Sequence, residues 1–125
     1  MGSQRQSGAA VNVELLHMCA RTEWEVAREL GRREPDSFSA EGFVHMSTPA
    51  QVHLPANRLF TGRDDIVLLV LDPELLGAEV KWEPGDPSDP DSMRFPHLYG
   101  PIPTAAVIDV RDYVPNESGV FPALA

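Results

Sequence analysis

One stretch limits what this chain can fold into more than any other: Ile66-Val67-Leu68-Leu69-Val70-Leu71 is apolar at all six positions. Successive side chains of a strand point to opposite faces, so a strand without polar alternation needs cover on both. Asp72-Pro73 stops the run. A central strand in a layered domain is the expectation. The 125 residues make one domain, long enough to bury a core without metal or disulfide.

The flanking patterns predict an α+β chain. Residues 12–19 read as a strand, with Val13, Leu15, His17 and Cys19 on one face and Leu16 and Met18 on the other. Thr22-x-x-Glu25 has the form of a capping box and predicts a helix that turns Trp24, Val26, Ala27 and Leu30 inward and stops at Gly31. Residues 42–47 predict a short strand pointing Phe43, His45 and Ser47 one way. Thr48-Pro49 predicts the start of a second helix towards Phe60, interrupted at Pro55 and ended by Gly62. Residues 79–83 alternate, with Val80 and Trp82 inward. Residues 84–93 read as a mobile loop and 95–103 as an irregular but apolar one. A last strand over 106–114 should bury Ala106, Ile108 and Val110. The expected domain spans 12–114, between a disordered N-terminal tail (1–11) and a flexible C-terminal tail (115–125). The helices are short, two or three in number, and the sheet is expected to be small, split or strongly curved, and mixed.

Charge narrows the partners. The net charge is -9 and the pI about 4.7. Phosphate-backbone binding needs a basic surface, so nucleic acid is not an expected partner, and neither is an anionic membrane. Cys19 is the single cysteine, which suits a reducing compartment. The first ten residues lack the apolar core of a signal peptide, and no apolar run nears the roughly 20 residues that span a bilayer. A cytoplasmic monomer that takes a small anionic ligand is the expectation.

Three histidines are candidates for the site. His45 and Ser47 share a strand face, roughly 7 Å apart from the strand rise; the alternative is a half-buried imidazole bonded to backbone, with Ser47 capping the next helix. His97 and Tyr99 lie in Phe95-Pro96-His97-Leu98-Tyr99-Gly100-Pro101, a proline-bounded apolar loop of the kind that carries ligand contacts or plugs a core. His17 lies on an apolar strand face, where a satisfied core histidine is the commoner case. A site of all three around a metal is conceivable, but the spacing carries no metal signature and no metal is expected. His53 reads as a surface residue. Glu83 is either a catalytic carboxylate or a solvated charge. Asn57 and Arg58 could meet an anion or decorate a helix. Cys19 reads as a small core residue.

The motifs Gly42-Phe43-Val44-His45-Met46-Ser47-Thr48, Ala56-Asn57-Arg58-Leu59-Phe60, Asp65-Ile66-Val67-Leu68-Leu69, Lys81-Trp82-Glu83-Pro84 and Phe95 to Pro101 resemble, in order, the bacterial family called domain of unknown function 952. The resemblance covers about residues 13–113. That family is similar in fold to the ADP-ribosyltransferases, which hold NAD in a cleft between two small sheets. The resemblance therefore implies an ADP-ribosyltransferase-like domain with NAD, or a related nucleotide, as ligand or substrate. It implies catalytic roles for His45 and for Glu83 or His97, a ligand contact for His17, and support of His45 by Ser47; Asn57 and Tyr99 are further candidate ligand contacts from their own residue types. An enzyme of this kind would be an ADP-ribosyl transferase or an NAD glycohydrolase. The toxin-type Glu-x-Glu pair is missing, as is a late catalytic glutamate. A non-catalytic module for a small metabolite or a protein on the same fold is the alternative.

Overall fold

The computed structural model describes residues 14–124. The expected N-terminal tail, and residues 12 and 13 of the first expected strand, lie outside them. In chain order the elements are β1 (Leu15–Ala20), α1 (Arg21–Leu30), β2 (Arg32–Arg33), α2 (Phe38–Glu41), β3 (Val44–His45), α3 (His53–Leu59), β4 (Ile66–Leu71), β5 (Val80–Pro84), β6 (Arg94–Leu98), β7 (Ile102–Pro103) and β8 (Val107–Asp112). Short 3-10 turns follow β4 and β7. The strands form three antiparallel sheets, ordered β1-β4-β8, β3-β6-β5 and β2-β7. The chain is α+β with three helices, as expected. The split is real, but the expected mixed sheet is corrected, because every pairing is antiparallel.

The apolar run is β4, the middle strand of its sheet, and all six of its residues are buried. On one face Val67, Leu69 and Leu71 pack with Leu15, Cys19, Val44, Met46 and Leu98, which closes the first sheet onto the second. On the other face Ile66, Leu68 and Val70 pack with Leu16, Val52, Ala56, Tyr113 and Phe121. Burial of each such side chain contributes about 1.5–3 kcal/mol, so this strand ties both layers to it. The two larger sheets also meet directly, since Leu16 and Ser47 exchange backbone hydrogen bonds of 2.8 Å in each direction.

Several local expectations are corrected. β1 runs straight into α1, and the acid that satisfies its first turn is Glu23, whose Oε1 accepts from Ala20 N–H at 2.7 Å. Glu25 lies a turn further on and pairs with Arg28. Val26 and Leu30 are exposed; α1 buries Ala27 and half-buries Trp24. Gly31 ends the helix at φ 85°, a left-handed conformation that glycine adopts without strain.

Thr48–Val52 forms turns rather than helix, with Thr48 O accepting from Gln51 N and Val52 N and Gln51 Oε1 accepting from Thr48 N. α3 therefore starts at His53, which places Pro55 in the first turn, where no intrahelical donor is lost. His53 is half-buried rather than surface-exposed, and its Nδ1 is buried without a hydrogen-bond partner among the described residues.

The 95–103 segment is not irregular throughout. β6 is the middle strand of the second sheet, and Pro96 is tolerated there because it joins through its carbonyl, which accepts from Met46 N at 3.0 Å. Trp82, on the edge strand β5, is exposed rather than inward. In β8 a bulge sets Asp109 opposite Val70 and Val107 opposite Leu71, skipping Ile108. Ile108 is thus 63% exposed, and Val107 packs on the core in its place, while Ala106 is buried and Val110 packs on the core as expected. Residues 84–93 are laced by turn bonds such as Gly85 N to Met93 O and Asp86 N to Ser92 Oγ.

The expected C-terminal tail is also corrected over residues 115–124. Phe121 is 1% exposed, its ring centre 4.9 Å from that of the buried Tyr113 and tilted 44° to it. Tyr113 O–H donates to Pro122 O at 2.6 Å. The Asn57 amide holds Phe121 by both ends, accepting from its N–H at 2.7 Å and donating to its carbonyl at 3.1 Å. The segment supplies the cover that the outer face of β4 requires.

Candidate functional site

His17 lies on the face of β1 that looks towards the second sheet. Its Nδ1 lies 2.8 Å from the His45 carbonyl, and Arg33 Nε donates to its Nε2 at 3.0 Å. An arginine only donates and a carbonyl only accepts, so the proton sits on Nδ1 and the ring is neutral. Burial, helped by the adjacent Arg33 charge, pushes its pKa down to about 3. Arg33 comes from β2, its side chain only 12% exposed, with Glu23 Oε1 3.7 Å from Nη2.

His45 and His97 are cross-strand partners in β3 and β6. Direct partners share a face, and their rings meet edge to face at 5.3 Å. Phe43 stacks on His97 at 4.0 Å and 11° and meets His45 edge-on at 5.0 Å. Each imidazole has a carboxylate behind it. His45 Nε2 lies 2.8 Å from Glu41 Oε1, with the His45 side chain 58% exposed. His97 is buried, and its Nδ1 lies 2.8 Å from Glu83 Oε1. Tyr99 O–H donates to that same oxygen at 2.7 Å. The Tyr99 hydrogen bond, and then that from His97, hold the Glu83 carboxyl below its usual range, so Glu83 accepts and His97 Nδ1 carries the proton. The bond to Glu83 raises Tyr99 in turn. Lys81 Nζ sits 4.7 Å from the centre of the Tyr99 ring.

The three imidazoles and Arg33 border a cavity of about 370 Å³ at the junction of the two larger sheets. His17, His45, His97, Arg33 and Arg58 all line it, and no aspartate or glutamate does among the described residues. Phe60 and Phe95 supply flat apolar wall. The protein carries a net charge of -9, so cationic and imidazole groups are concentrated against the sign of the whole chain. A concave site of that kind focuses potential and attracts anions.

Of the residues singled out from sequence, His17, His45, Ser47 and His97 come together around this cavity. Glu83 and Tyr99 stand behind His97 and do not line it. Asn57 does not line it either, as its amide is engaged with Phe121, whereas its neighbour Arg58 does. Arg33 and Glu41 had no signal of their own, whereas Phe43 was expected on the strand face of His45, and its ring meets those of His45 and His97. The available hint was an Arg32-Arg33 pair in a chain with 10 basic and 19 acidic residues. Burial raises the Cys19 thiol to about 11, so it stays protonated and packs as a core side chain. Among the described residues, no group of three or more His, Cys, Asp or Glu is placed to hold a metal ion, and no helix is long and apolar enough to cross a membrane.

Comparison with known proteins agrees with this architecture. The crystal structure of protein CC0527 from Caulobacter crescentus is 32% identical, with a TM-score of 0.73, and the match covers 87% of this chain and 93% of that one. Its solution NMR structure is 33% identical, with a TM-score of 0.71, over 86% and 90% of the two chains. No curated protein matches the sequence. Residues 18–110 match the family described as "Protein of unknown function (DUF952)". With all but the first three and last two residues of the span from β1 to β8 inside that match and the same fold at about a third identity, the chain belongs to the DUF952 family.

Proposed function

We propose that this chain is an ADP-ribosyltransferase-like domain whose cavity takes a small phosphate-bearing ligand of nucleotide type, with NAD or a close relative as the leading candidate. The observation that carries this reading is the lining: two guanidiniums, three imidazoles and aromatic wall, with no carboxylate, in an acidic protein. Guanidinium recognises phosphate in bidentate fashion, and Phe60 and Phe95 suit a flat ring. A volume of about 370 Å³ is near the lower end of the roughly 300–1,000 Å³ typical of ligand sites. It suits one mononucleotide-sized half, and the other half of a dinucleotide would lie along the rim near His45. Ser47 and His97 supply polar groups that orient the ligand, and His17 holds Arg33 in place.

Isothermal titration with NAD and with ADP-ribose tests the proposal. Arg58→Gln should weaken binding by about 10- to 100-fold, the usual effect of losing a charge-assisted hydrogen bond of about 1.5–3 kcal/mol. Equal affinity in the variant, or no heat with either ligand at millimolar concentration, would remove this reading. The alternative of a non-catalytic binding module is favoured by the missing carboxylate at the cavity wall. Turnover of NAD by pure protein would exclude it.

A further inference from the structure

We infer that His97 is the proton-accepting catalytic residue of this site, that Glu83 and Tyr99 are its positioning residues, and that the bond it serves is the phosphoanhydride of a nucleotide diphosphate rather than a glycosidic bond. This rests on the anion-binding reading above and extends it to a reaction.

The geometry of the imidazole comes first. His97 lines the cavity while Glu83, 2.8 Å from its Nδ1, does not. With Nδ1 taken up by Glu83, Nε2 is the ring nitrogen left to meet a ligand in the cavity. With Nδ1–H donated to Glu83, Nε2 is the lone-pair nitrogen, and it has no hydrogen-bond partner among the described residues. Tyr99 fixes the same carboxylate oxygen from its other side at 2.7 Å, and Phe43 stacks flat on the ring at 4.0 Å. Orientation, tautomer and ring plane are thus all set before a ligand arrives, as a general base requires. His45 is also backed by a carboxylate, Glu41, but through Nε2 and on an open face, its side chain 58% exposed. His17 has both nitrogens engaged, by Arg33 and by the His45 carbonyl.

The electrostatics then select the bond. Cleavage at a sugar C1′ develops positive charge on the ring, and carboxylates beside the sugar are what stabilise it. This cavity has no lining carboxylate and two guanidiniums, which suit instead the negative charge spread over phosphoryl oxygens. In the step we infer, a water oxygen forms a bond to one phosphorus of the diphosphate and gives a proton to His97 Nε2. The bridging P–O bond breaks, and its electron pair leaves with the second phosphate. That leaving group is stable as an anion, so one base suffices and no general acid is called for. The second proton of the water stays on the new phosphate until the product ionises. The products are two monophosphates, and His97 returns its proton to solvent.

The test uses ADP-ribose and NAD as probes, with products separated by anion-exchange chromatography and affinity measured on the same samples. Wild-type protein should release AMP from both. His97→Ala should lose at least 100-fold in kcat, far more than it loses in ligand affinity, and regain activity in free imidazole. Glu83→Gln should lower kcat about tenfold or more with KM nearly unchanged, and Tyr99→Phe should do so more mildly. Binding without AMP release, release of nicotinamide instead of AMP, or full activity in His97→Ala would each overturn the inference while leaving the binding site intact. If His97→Ala does not fold, His97→Gln in the same assay decides the matter. Absence of binding altogether would instead sink the underlying anion-site reading, and the inference with it.

Discussion

His17 should make this protein lose stability on mild acidification, by an amount that follows from its surroundings. Burial and Arg33 lower its pKa from 6.5 to about 3 in the folded chain, while the unfolded chain keeps the ordinary value. Between those two limits the unfolded state binds one more proton than the folded state, so stability falls as pH falls through that window. The slope is about 1.4 kcal/mol per pH unit. From pH 7 to pH 5 the loss attributable to His17 is about 2 kcal/mol, a large share of the 5–15 kcal/mol typical of a domain. Carboxylates such as Glu83, whose folded pKa is also lowered, tilt the curve the same way at lower pH, so the His17 part must be read as a difference. His17→Gln keeps an acceptor for Arg33 Nε and does not titrate. Urea unfolding of both proteins at pH 7, 6 and 5 should give a stability difference that shifts by about 2 kcal/mol in favour of the variant on going to pH 5. Parallel curves would refute the reasoning, as would an NMR titration in which the His17 ring protonates near pH 6.

Other outcomes follow from single contacts. Asn57→Ala removes both bonds to the Phe121 backbone and leaves a buried N–H unpaired, so unfolding free energy should drop by about 2–4 kcal/mol, with faster amide exchange over 115–124; exchange unchanged from wild type would show that the segment is held by other means. Phe121→Ala empties a buried aromatic site and should cost about 3–5 kcal/mol in the same denaturation assay. Tyr99→Phe removes the hydrogen bond that does most to depress Glu83, so carbon NMR of the Glu83 carboxyl should show its titration moving to higher pH; an unmoved titration would deny the Tyr99–Glu83 contact.

Much of the layout could be read from residue pattern, and the misses have physical causes. β4 was legible because six apolar residues without alternation admit one environment, and α1 because its polar and apolar residues segregate and Gly31 follows. The start of α1 was misplaced by two residues because Thr22 and Glu25 also fit a capping box, while Glu23 reaches the Ala20 amide in a chain that enters the helix without a loop. β6 was hidden by Pro96, which speaks against a middle strand until its carbonyl is seen to do the pairing. Ile108 was expected inward and is not, because a bulge is a property of two strands together. Three histidines of the site stood out by residue type. Arg33 did not, because its value lies in the contact with His17, 16 positions away, and nothing in the spacing encodes that distance. Glu83 was visible as a carboxylate but its place behind His97 was not, since a hydrogen bond across β5 and β6 decides it.

The proposed ligand site is the cavity beside His17, Arg33, Arg58 and His97. An amide-resolved NMR titration with NAD, and separately with ADP-ribose, tests this most directly. Saturable shifts are expected at His17, Arg33, Ser47, Arg58 and His97, with Asp109 and Arg111 on strand β8 unmoved. No shifts at millimolar ligand, or shifts confined to residues away from the cavity, would contradict it.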